Sequence, residues 1–259
     1  MVAKPLRGLV HRVTRVVMSD SLAHSPSQRP NGTDARTNGA DARSNTTDAH
    51  ANTADARDTD SALPRAVCVY CGSSPGRDPR YENAALQLGR AIGAAGLRLV
   101  YGGGTAGLMG AVARGCMEAG GAVTGIIPRF LMRVEASEAE LRTLDELVTT
   151  EDMHERKHAM FERADAFVAL PGGIGTLEEL VEVMTWAQLG RHEKPIAIAD
   201  IDGFWGPLTV LLDHMRAEGF VHTGERVRPL VLQRVEDIVP ALMSAGTGTS
   251  GREAIIERL

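Results

Sequence analysis

The chain has 259 residues with 28 basic and 33 acidic side chains, a net charge of −5, and 43% hydrophobic residues. This balance excludes a polybasic nucleic-acid-binding protein, a coiled-coil rod and a collagen-like fibre, because each needs a compositional bias that is missing here. The 3 cysteines are too few to staple a small secreted fold, which indicates a reducing compartment and predicts a cytoplasmic protein. No apolar run is long enough for a transmembrane helix, so we expect no membrane partner.

Residues 1–63 are predicted to form a disordered, low-complexity tail. Alanine is the only apolar residue type between His24 and Ala62, so the segment buries too little surface to offset the entropy of ordering it. A four-residue unit with Asp-Ala at its centre starts at residues 33, 40, 47 and 54, and this repeat lacks the Leu, Ile or Val that a coiled-coil seam requires. The basic segment 1–17 is interpreted as an upstream extension, with a membrane-surface helix as the alternative.

From Pro64 onward, short apolar runs alternate with helical patterns, as is typical of βαβ units and a parallel sheet. Strands are predicted, in chain order, at 66–70, 97–101, 122–127, near 147, and at 166–170, 195–199 and 230–232. Helices are predicted at 81–95, from the second glycine loop to about 119, and at 151–164, 175–189, 206–217 and 235–243, with a polar loop before residue 147. The pattern predicts one Rossmann-like, doubly wound α/β domain over residues 64–245, followed by a C-terminal tail over residues 246–259.

Glycine loops follow three of the predicted strands, 66–70, 97–101 and 166–170. In an open parallel sheet the ligand lies beyond the carboxyl ends of the strands, where such loops enter helix N-termini. Three phosphate sites would be too many for one ligand. We therefore expect one or two loops to contact phosphate and the other to shape a sugar or base pocket, with a nucleotide as the ligand.

Two motifs of other functional classes are present without their usual context. The Gly-Gly-Gly-Thr-Ala-Gly segment at 102–107 fits the dinucleotide fingerprint, but the acidic residue expected after the next strand is replaced by Ile-Ile-Pro at 126–128. Cys68-Val-Tyr-Cys71 has CxxC spacing, but residues three apart on a strand project to opposite faces. Buried thiols are therefore expected in place of a metal or redox site.

A His-Glu-Arg-Lys-His segment at 154–158 matches the HExxH motif of zinc proteases, with Glu178 as a conceivable third ligand. Two features argue against zinc. The intervening segment ends in Pro171-Gly-Gly, which belongs to a doubly wound sheet, and the same helix carries the cations Arg156, Lys157 and Arg163. We predict no metal site and keep a zinc hydrolase that uses His154 and His158 as an alternative.

The strongest motif is Leu-Pro-Gly-Gly-Ile-Gly-Thr-Leu-Glu-Glu-Leu at 170–180. Its proline ends the strand, and its three glycines permit a tight backbone cradle. Thr176 can cap the following helix and donate its hydroxyl to a phosphate. Glu179 lies close enough to reach a sugar bound in the cradle. One of the two carboxylates, Glu178 or Glu179, is instead expected to complement the helix dipole.

This motif, read as Pro171-Gly-Gly-x-Gly-Thr-x-x-Glu179, is preceded by Met153-His-Glu-Arg-Lys157 and followed by Trp186-Ala-Gln-Leu-Gly190. The set resembles the LOG (lonely guy) family of cytokinin riboside 5′-monophosphate phosphoribohydrolases, and the resemblance covers about residues 64–243. Further motifs fit in the same order, namely Cys71-Gly-Ser-Ser, Tyr101-Gly-Gly-Gly, Gly107-Leu-Met-Gly110 and Gly125-Ile-Ile-Pro128. Members of this family are often labelled lysine decarboxylases, but nothing here suggests a pyridoxal phosphate lysine, and no cofactor is expected.

The resemblance implies cleavage of the N-glycosidic bond of adenosine 5′-monophosphate, with or without an N6-isoprenoid group, to give free base and ribose 5-phosphate. It implies that Arg156 and Glu179 are the catalytic pair and that the protein is a homodimer or higher homo-oligomer. No nucleic-acid or membrane partner is expected. The substrate-binding residues expected from the resemblance and the glycine loops are Ser73, Gly103, Gly104, Thr105, Glu135, Lys157, Gly172, Gly173, Ile174, Gly175, Thr176, Leu177, Glu178 and Thr185.

Two choices remain open in this interpretation. The family's loop glutamate matches Glu135 by distance from Leu131-Met132 and Glu138 by distance from Arg156, and we prefer Glu135. The alternative function is a non-catalytic nucleotide or molybdenum-cofactor carrier of related fold that shares the glycine cradle. The presence of both Arg156 and Glu179 argues against the carrier.

Overall fold

The computed structural model describes residues 64–221 and 228–246, so the predicted tails lie almost wholly outside the described residues. Within them the strands are β1 Ala66–Tyr70, β2 Arg98–Tyr101, β3 Val123–Pro128, β4 Glu146–Thr150, β5 Ala166–Ala169, β6 Ile196–Ala199 and β7 Leu230–Leu232. The helices are α1 Pro79–Ala94, α2 Gly107–Glu118, α3 Arg129–Glu135, α4 Glu138–Leu141, α5 Met153–Arg163, α6 Ile174–Gln188, α7 Gly206–Ala217 and α8 Ile238–Gly246. No helix of this described part is long and apolar enough to cross a bilayer.

The sheet has the strand order β4-β3-β2-β1-β5-β6-β7, and its strand pairs are parallel. The chain moves outward from β1 to β4, then returns to the other side of β1 with β5 and continues to β7. Because the winding direction reverses between β1 and β5, the loops that follow these two strands diverge and open a crevice. The predicted Rossmann-like, doubly wound α/β fold is confirmed.

Successive side chains of a strand point to opposite faces of the sheet, so the hydrophobic core has two layers. On β1, Val67 and Val69 pack on one face with α1, α2 and α8, whereas Cys68 and Tyr70 pack on the other with α5, α6 and α7. The central strands are buried on both faces, as expected for a parallel sheet covered by helices. The site described below lies at the carboxyl edge between these layers.

Helices α1 and α2 approach each other closely because glycines face the contact. A methyl group on Gly89 would overlap the Val112 carbonyl oxygen, and one on Gly115 would overlap that of Leu86. This close packing fixes α2, and with it the loop at residues 102–106 that enters the helix.

The structure corrects several sequence-based boundaries. The segment after β3, predicted as a polar loop, contains the short helices α3 and α4. Neither of these helices buries an apolar stripe that periodicity could detect, since α3 has no buried residue and α4 buries only Leu141. The closing helix predicted from Val235 begins instead at Ile238, after a 3-10 turn. The predicted strand near residue 147 is confirmed as β4.

Candidate active site

The loop between β5 and α6 forms an open anion cradle. Helix α6 begins with Gly173 as its N-cap residue, and no side chain caps it. The expectation that Thr176 caps the helix is therefore wrong. The Thr176 side chain is buried in the wall of a cavity that Ile174 and Gly175 also line. The first backbone amides of α6 consequently have no side-chain partner, and such a helix N-terminus attracts a phosphate.

Gly172 differs from the other two glycines of this cradle in the space around its Cα atom. A methyl group on Gly172 would overlap the Thr176 hydroxyl, so this position cannot carry a side chain without displacing Thr176. A methyl group on Gly173 or Gly175 would meet nothing within 4 Å, because both residues face open space. The backbone is therefore accessible from the side where a ligand would approach.

The glycine loop ahead of α2 differs from this cradle in its hydrogen bonds. The backbone N–H groups of Leu108 and Met109 both donate to the Gly72 carbonyl oxygen, at 3.1 and 3.3 Å. The chain itself therefore satisfies the helix terminus that a phosphate would occupy. Gly103 and Gly104, expected to bind substrate, lie outside the cavity lining, and so does Thr105.

Thr105 holds the end of helix α3, where Glu135 lies. Its backbone N–H donates to the Glu135 carbonyl oxygen at 2.9 Å, and its hydroxyl oxygen accepts from the Ser137 N–H at 2.9 Å. Glu135 lines the cavity, whereas Glu138 is exposed outside it and lies 3.9 Å from Arg142. The geometry therefore favours Glu135 over Glu138 as the loop glutamate.

Arg156 is held rigidly at the floor of the cavity and is only 6% exposed. Its Nε donates to the Ile126 carbonyl oxygen and its Nη2 to the Gly102 carbonyl oxygen, both at 3.2 Å. A methyl group on Gly102 would overlap Nη2, so glycine at this position makes room for the guanidinium. The third nitrogen, Nη1, donates to Met153 Sδ at 3.8 Å and lies 3.9 Å from Glu179 Oε1.

Glu179 projects from α6 into the same cavity and is 8% exposed. Burial raises the pKa of its carboxyl group to about 7, even though the nearby Arg156 lowers it. The negative charges of Glu178 and Glu135 raise the pKa further, and Lys157 opposes them. A carboxyl group with this pKa exchanges a proton readily near neutral pH, as an acid–base catalyst must.

Three other residues expected to bind substrate lie outside the cavity lining, namely Lys157, Leu177 and Thr185. Lys157 donates to Glu178 and Glu182 instead. Leu177 packs against the hydrophobic core, and the Thr185 hydroxyl donates to the Val181 carbonyl oxygen at 2.7 Å. Gly172 also lies behind the lining, whereas Ser73 and Glu178 form part of it.

The cavity has a volume of about 300 Å³ and includes residues that sequence reasoning missed. These residues end or follow β1, follow β2, or lie on α2 and α5, and they are Val69, Tyr70, Cys71, Gly72, Gly102, Met109, Met153 and Met160. The strand-end residues could have been found from the rule that ligands bind at the carboxyl edge of the sheet. The methionines carry no sequence signal that separates them from core residues.

The alternative chemistries fit the structure poorly. Cys68 and Cys71 face opposite layers of the core, and burial raises the pKa of both thiols well above the ordinary value. His154 and His158 are exposed. Asp152 caps α5 by accepting from the Glu155 N–H at 2.8 Å, and the Glu155 carboxylate accepts from the Glu151 N–H at 2.9 Å. Among the described residues, no group of three or more His, Cys, Asp or Glu side chains could hold a metal ion.

Comparison with known proteins connects this geometry to a family. Residues 109–242 match a family model described as possible lysine decarboxylase. A probable cytokinin riboside 5′-monophosphate phosphoribohydrolase of Oryza sativa subsp. japonica is 48% identical over 155 residues, which cover 60% of this chain and 68% of that protein. A cytokinin riboside 5′-monophosphate phosphoribohydrolase of Rhodococcoides fascians is 42% identical over 181 residues, or 70% of this chain and 90% of that protein.

Solved structures show the same fold at low identity. The molybdenum cofactor binding protein of Rippkaea orientalis has a TM-score of 0.52 and 22% identity, covering 69% of this chain and 95% of that one. The molybdenum cofactor carrier protein of Chlamydomonas reinhardtii has a TM-score of 0.53 and 19% identity, covering 71% of this chain and 98% of that one. At these identities the likeness extends to the fold alone.

Proposed function

The chain belongs to the LOG family of cytokinin riboside 5′-monophosphate phosphoribohydrolases, and on that premise we propose that it is a hydrolase of nucleotide 5′-monophosphates. It cleaves the N-glycosidic bond of adenosine 5′-monophosphate, plain or N6-prenylated, and releases the free base and ribose 5-phosphate. The observation that carries this proposal is the buried Arg156–Glu179 pair in the same cavity as the uncapped N-terminus of α6. One ligand can therefore contact an anion cradle, a carboxylate and a cation together.

The substrate's phosphate binds at the start of α6, where residues 173–176 present backbone amides and the Thr176 hydroxyl. This contact orients the ribose so that its C1′ atom faces Glu179. As the base departs with the bonding electrons, positive charge develops on the ribose, and an ionised carboxylate stabilises it. Water then adds its oxygen to C1′ and loses a proton to the carboxylate. The departed base takes up one proton, which balances the proton lost by water and leaves the carboxylate ionised for the next turnover.

Arg156 and Glu135 complete the proposed mechanism. The guanidinium stays protonated, so Arg156 acts as a fixed hydrogen-bond donor toward the phosphate or the departing base and not as a base. Glu135 also lines the cavity and orients the ribose hydroxyls by accepting their hydrogen bonds. No cofactor takes part in this mechanism, because hydrolysis requires only water and these side chains.

A homodimer is the proposed assembly, with a second copy of the chain covering the mouth of the cavity. Ile174 lines the cavity and is 82% exposed, and Val181 and Leu189 continue an apolar stripe along α6 at 43% and 69% exposure. Exposed apolar stripes of this kind mark interaction surfaces. Light scattering after size exclusion should give twice the chain mass, and a Val181→Glu variant should shift toward the monomer.

The cytoplasm is the proposed compartment. The three cysteines Cys68, Cys71 and Cys116 are all free and buried, as expected for a protein that never meets an oxidising environment. Fractionation of the source cells with an antibody against the chain tests this placement.

The competing function is a non-catalytic carrier of nucleotide or molybdenum cofactor, which the likeness of fold alone would allow. A carrier needs an anion cradle but has no use for a carboxyl group whose pKa is raised toward neutrality beside a buried guanidinium. Turnover separates the two functions, because a carrier releases no ribose 5-phosphate.

The testing experiment measures ribose 5-phosphate release from adenosine 5′-monophosphate and from its N6-isopentenyl derivative, with chelator-treated wild type beside Glu179→Gln. We expect release by the wild type and a loss of about 10²–10⁴-fold in the variant, the usual contribution of a catalytic acid–base group. The Glu135→Gln variant should also lose activity, whereas Glu138→Gln, an exposed control with the same change, should not. Absence of release from both substrates would refute the hydrolase, and stoichiometric zinc with chelator sensitivity would favour the zinc alternative.

A further inference from the structure

Lys157 bridges helices α5 and α6. It follows Arg156 on α5, but its side chain lies between α5 and α6 and is only 16% exposed. Its Nζ donates to Glu178 Oε1 at 2.6 Å and to Glu182 Oε1 at 3.1 Å. Lys157 is absent from the cavity lining, and its ammonium group is already engaged by two carboxylates.

The charge of Lys157 offsets the repulsion between the two carboxylates. Glu178 and Glu182 lie four residues apart on α6, so their side chains share one helix face and repel each other without a cation between them. Burial alone would lower the pKa of Lys157, but its hydrogen bonds to Glu178 and Glu182 raise it above the ordinary value. The ammonium group is therefore charged at all physiological pH values.

The catalytic pair is built on the same two helices. Arg156 is adjacent to Lys157 on α5, and Glu179 is adjacent to Glu178 on α6. Arg156 is fixed against the sheet through the carbonyl groups of Ile126 and Gly102. The separation of 3.9 Å between Arg156 and Glu179 thus depends on how α6 is docked against α5.

We propose that Lys157 is a positioning residue that clamps α5 to α6 through Glu178 and Glu182 and so sets Glu179 opposite Arg156. The inference rests on the proposed hydrolase function and departs from the expectation that Lys157 binds substrate. Its charge also acts directly on the acid, since Lys157 lowers the pKa of Glu179 and Glu178 raises it. Removing the lysine leaves two uncompensated negative charges beside Glu179.

The test compares Lys157→Met, Lys157→Arg and Arg163→Met in a pH series of ribose 5-phosphate release. Arg163 is a matched control, because it is a cation on the same helix and its ion pair lies outside the cavity. Its Nε is 3.7 Å from Glu146 Oε1, and neither residue lines the cavity. In Lys157→Met we expect the rise of kcat with pH, which follows the ionisation of Glu179 and forms the acid limb of the pH profile, to move up by about one pH unit. At neutral pH, kcat should be lower by about tenfold, and KM should be nearly unchanged. Lys157→Arg should restore most of kcat, and Arg163→Met should match the wild type.

A double-mutant cycle with Glu182→Gln separates the clamp from substrate binding. If Lys157 acts through α6, its substitution should cost less in the Glu182→Gln background, because part of the clamp is already lost. If Lys157 binds substrate, its substitution should raise KM equally in both backgrounds and leave the plateau value of kcat unchanged. This second result would overturn the proposal.

A readout without catalysis keeps the clamp testable even if the wild type releases no ribose 5-phosphate, an outcome that refutes only the proposed function. NMR of labelled glutamate carboxyl groups, with Glu179 assigned from Glu179→Gln, follows the titration of Glu179 directly. The pKa should be higher in Lys157→Met than in the wild type and in Arg163→Met. An unchanged pKa would overturn the clamp.

Discussion

The loops at residues 102–106 and 171–173 both follow a buried strand, both are rich in glycine, and both enter a helix at the same edge of the sheet. In the first loop, the Gly72 carbonyl oxygen accepts from the N–H groups at the start of α2, and the Gly102 carbonyl accepts from Arg156. In the second loop, α6 starts without a side-chain cap and faces open space at Gly173 and Gly175. Glycine content therefore does not decide where an anion binds. The decisive feature is whether the protein's own acceptors already occupy the helix amides.

Of the substitutions in the two loops, Gly102→Ala is expected to have the larger effect, because the first loop holds the guanidinium of Arg156 and does not contact the phosphate. The added methyl group would overlap Arg156 Nη2 and displace the side chain from its carbonyl acceptors. We expect kcat/KM to fall by about 10²–10³-fold, which is typical when one fixed donor is lost from a catalytic site. Binding of inorganic phosphate at the second loop should persist.

Gly206→Ala is the matched control for this substitution, because a methyl group at Gly206 meets nothing within 4 Å. Steady-state kinetics and phosphate titration of both variants test the division of roles. Loss of phosphate binding in Gly102→Ala, with Gly206→Ala unaffected, would contradict the view that the first loop only places Arg156.

The sequence could predict the fold class and the cradle because both depend on local patterns. The periodicity of apolar residues predicted the order of strands and helices along the chain. The motif around Gly172 and Gly175 predicted the open N-terminus of a helix. The role of Gly102 could not be predicted, because its partner Arg156 is 54 residues away along the chain. Lys157 was similarly expected to bind substrate, since its carboxylate partners become visible only when α5 and α6 are packed together. Contacts between elements, which no local pattern encodes, therefore assign these two roles.

The raised pKa of Glu179 should also make the stability of the folded protein depend on pH. The pKa of Glu179 is raised from 4.5 to about 7 in the folded protein, so the folded state binds a proton more tightly than the unfolded state. Stability from this group is therefore full below pH 4.5 and is lost as the pH rises toward 7. The unfolding free energy of wild type minus that of Glu179→Gln should fall over this range by about 3 kcal/mol at most.

Urea denaturation of wild type and Glu179→Gln at a series of pH values measures this difference. Subtraction removes the contributions of the other carboxyl groups, provided that they titrate alike in the two proteins. A difference that rises with pH would mean that Arg156 lowers the pKa of Glu179 more than burial raises it. Glu179 would then be ionised throughout the neutral range and unable to exchange a proton during turnover.

Gly175→Ala probes the open loop and should have the smallest effect. The methyl group meets nothing within 4 Å, so the fold should tolerate it and the melting temperature should match that of the wild type. The same methyl group stands where the phosphate approaches the amides of α6, so KM for adenosine 5′-monophosphate should rise by about tenfold or less, with kcat nearly unchanged. A loss in kcat with unchanged KM would instead place the reacting part of the nucleotide, and not its phosphate, at the start of α6. The open helix terminus would then belong to catalysis, and the division of work between the two glycine loops would fail.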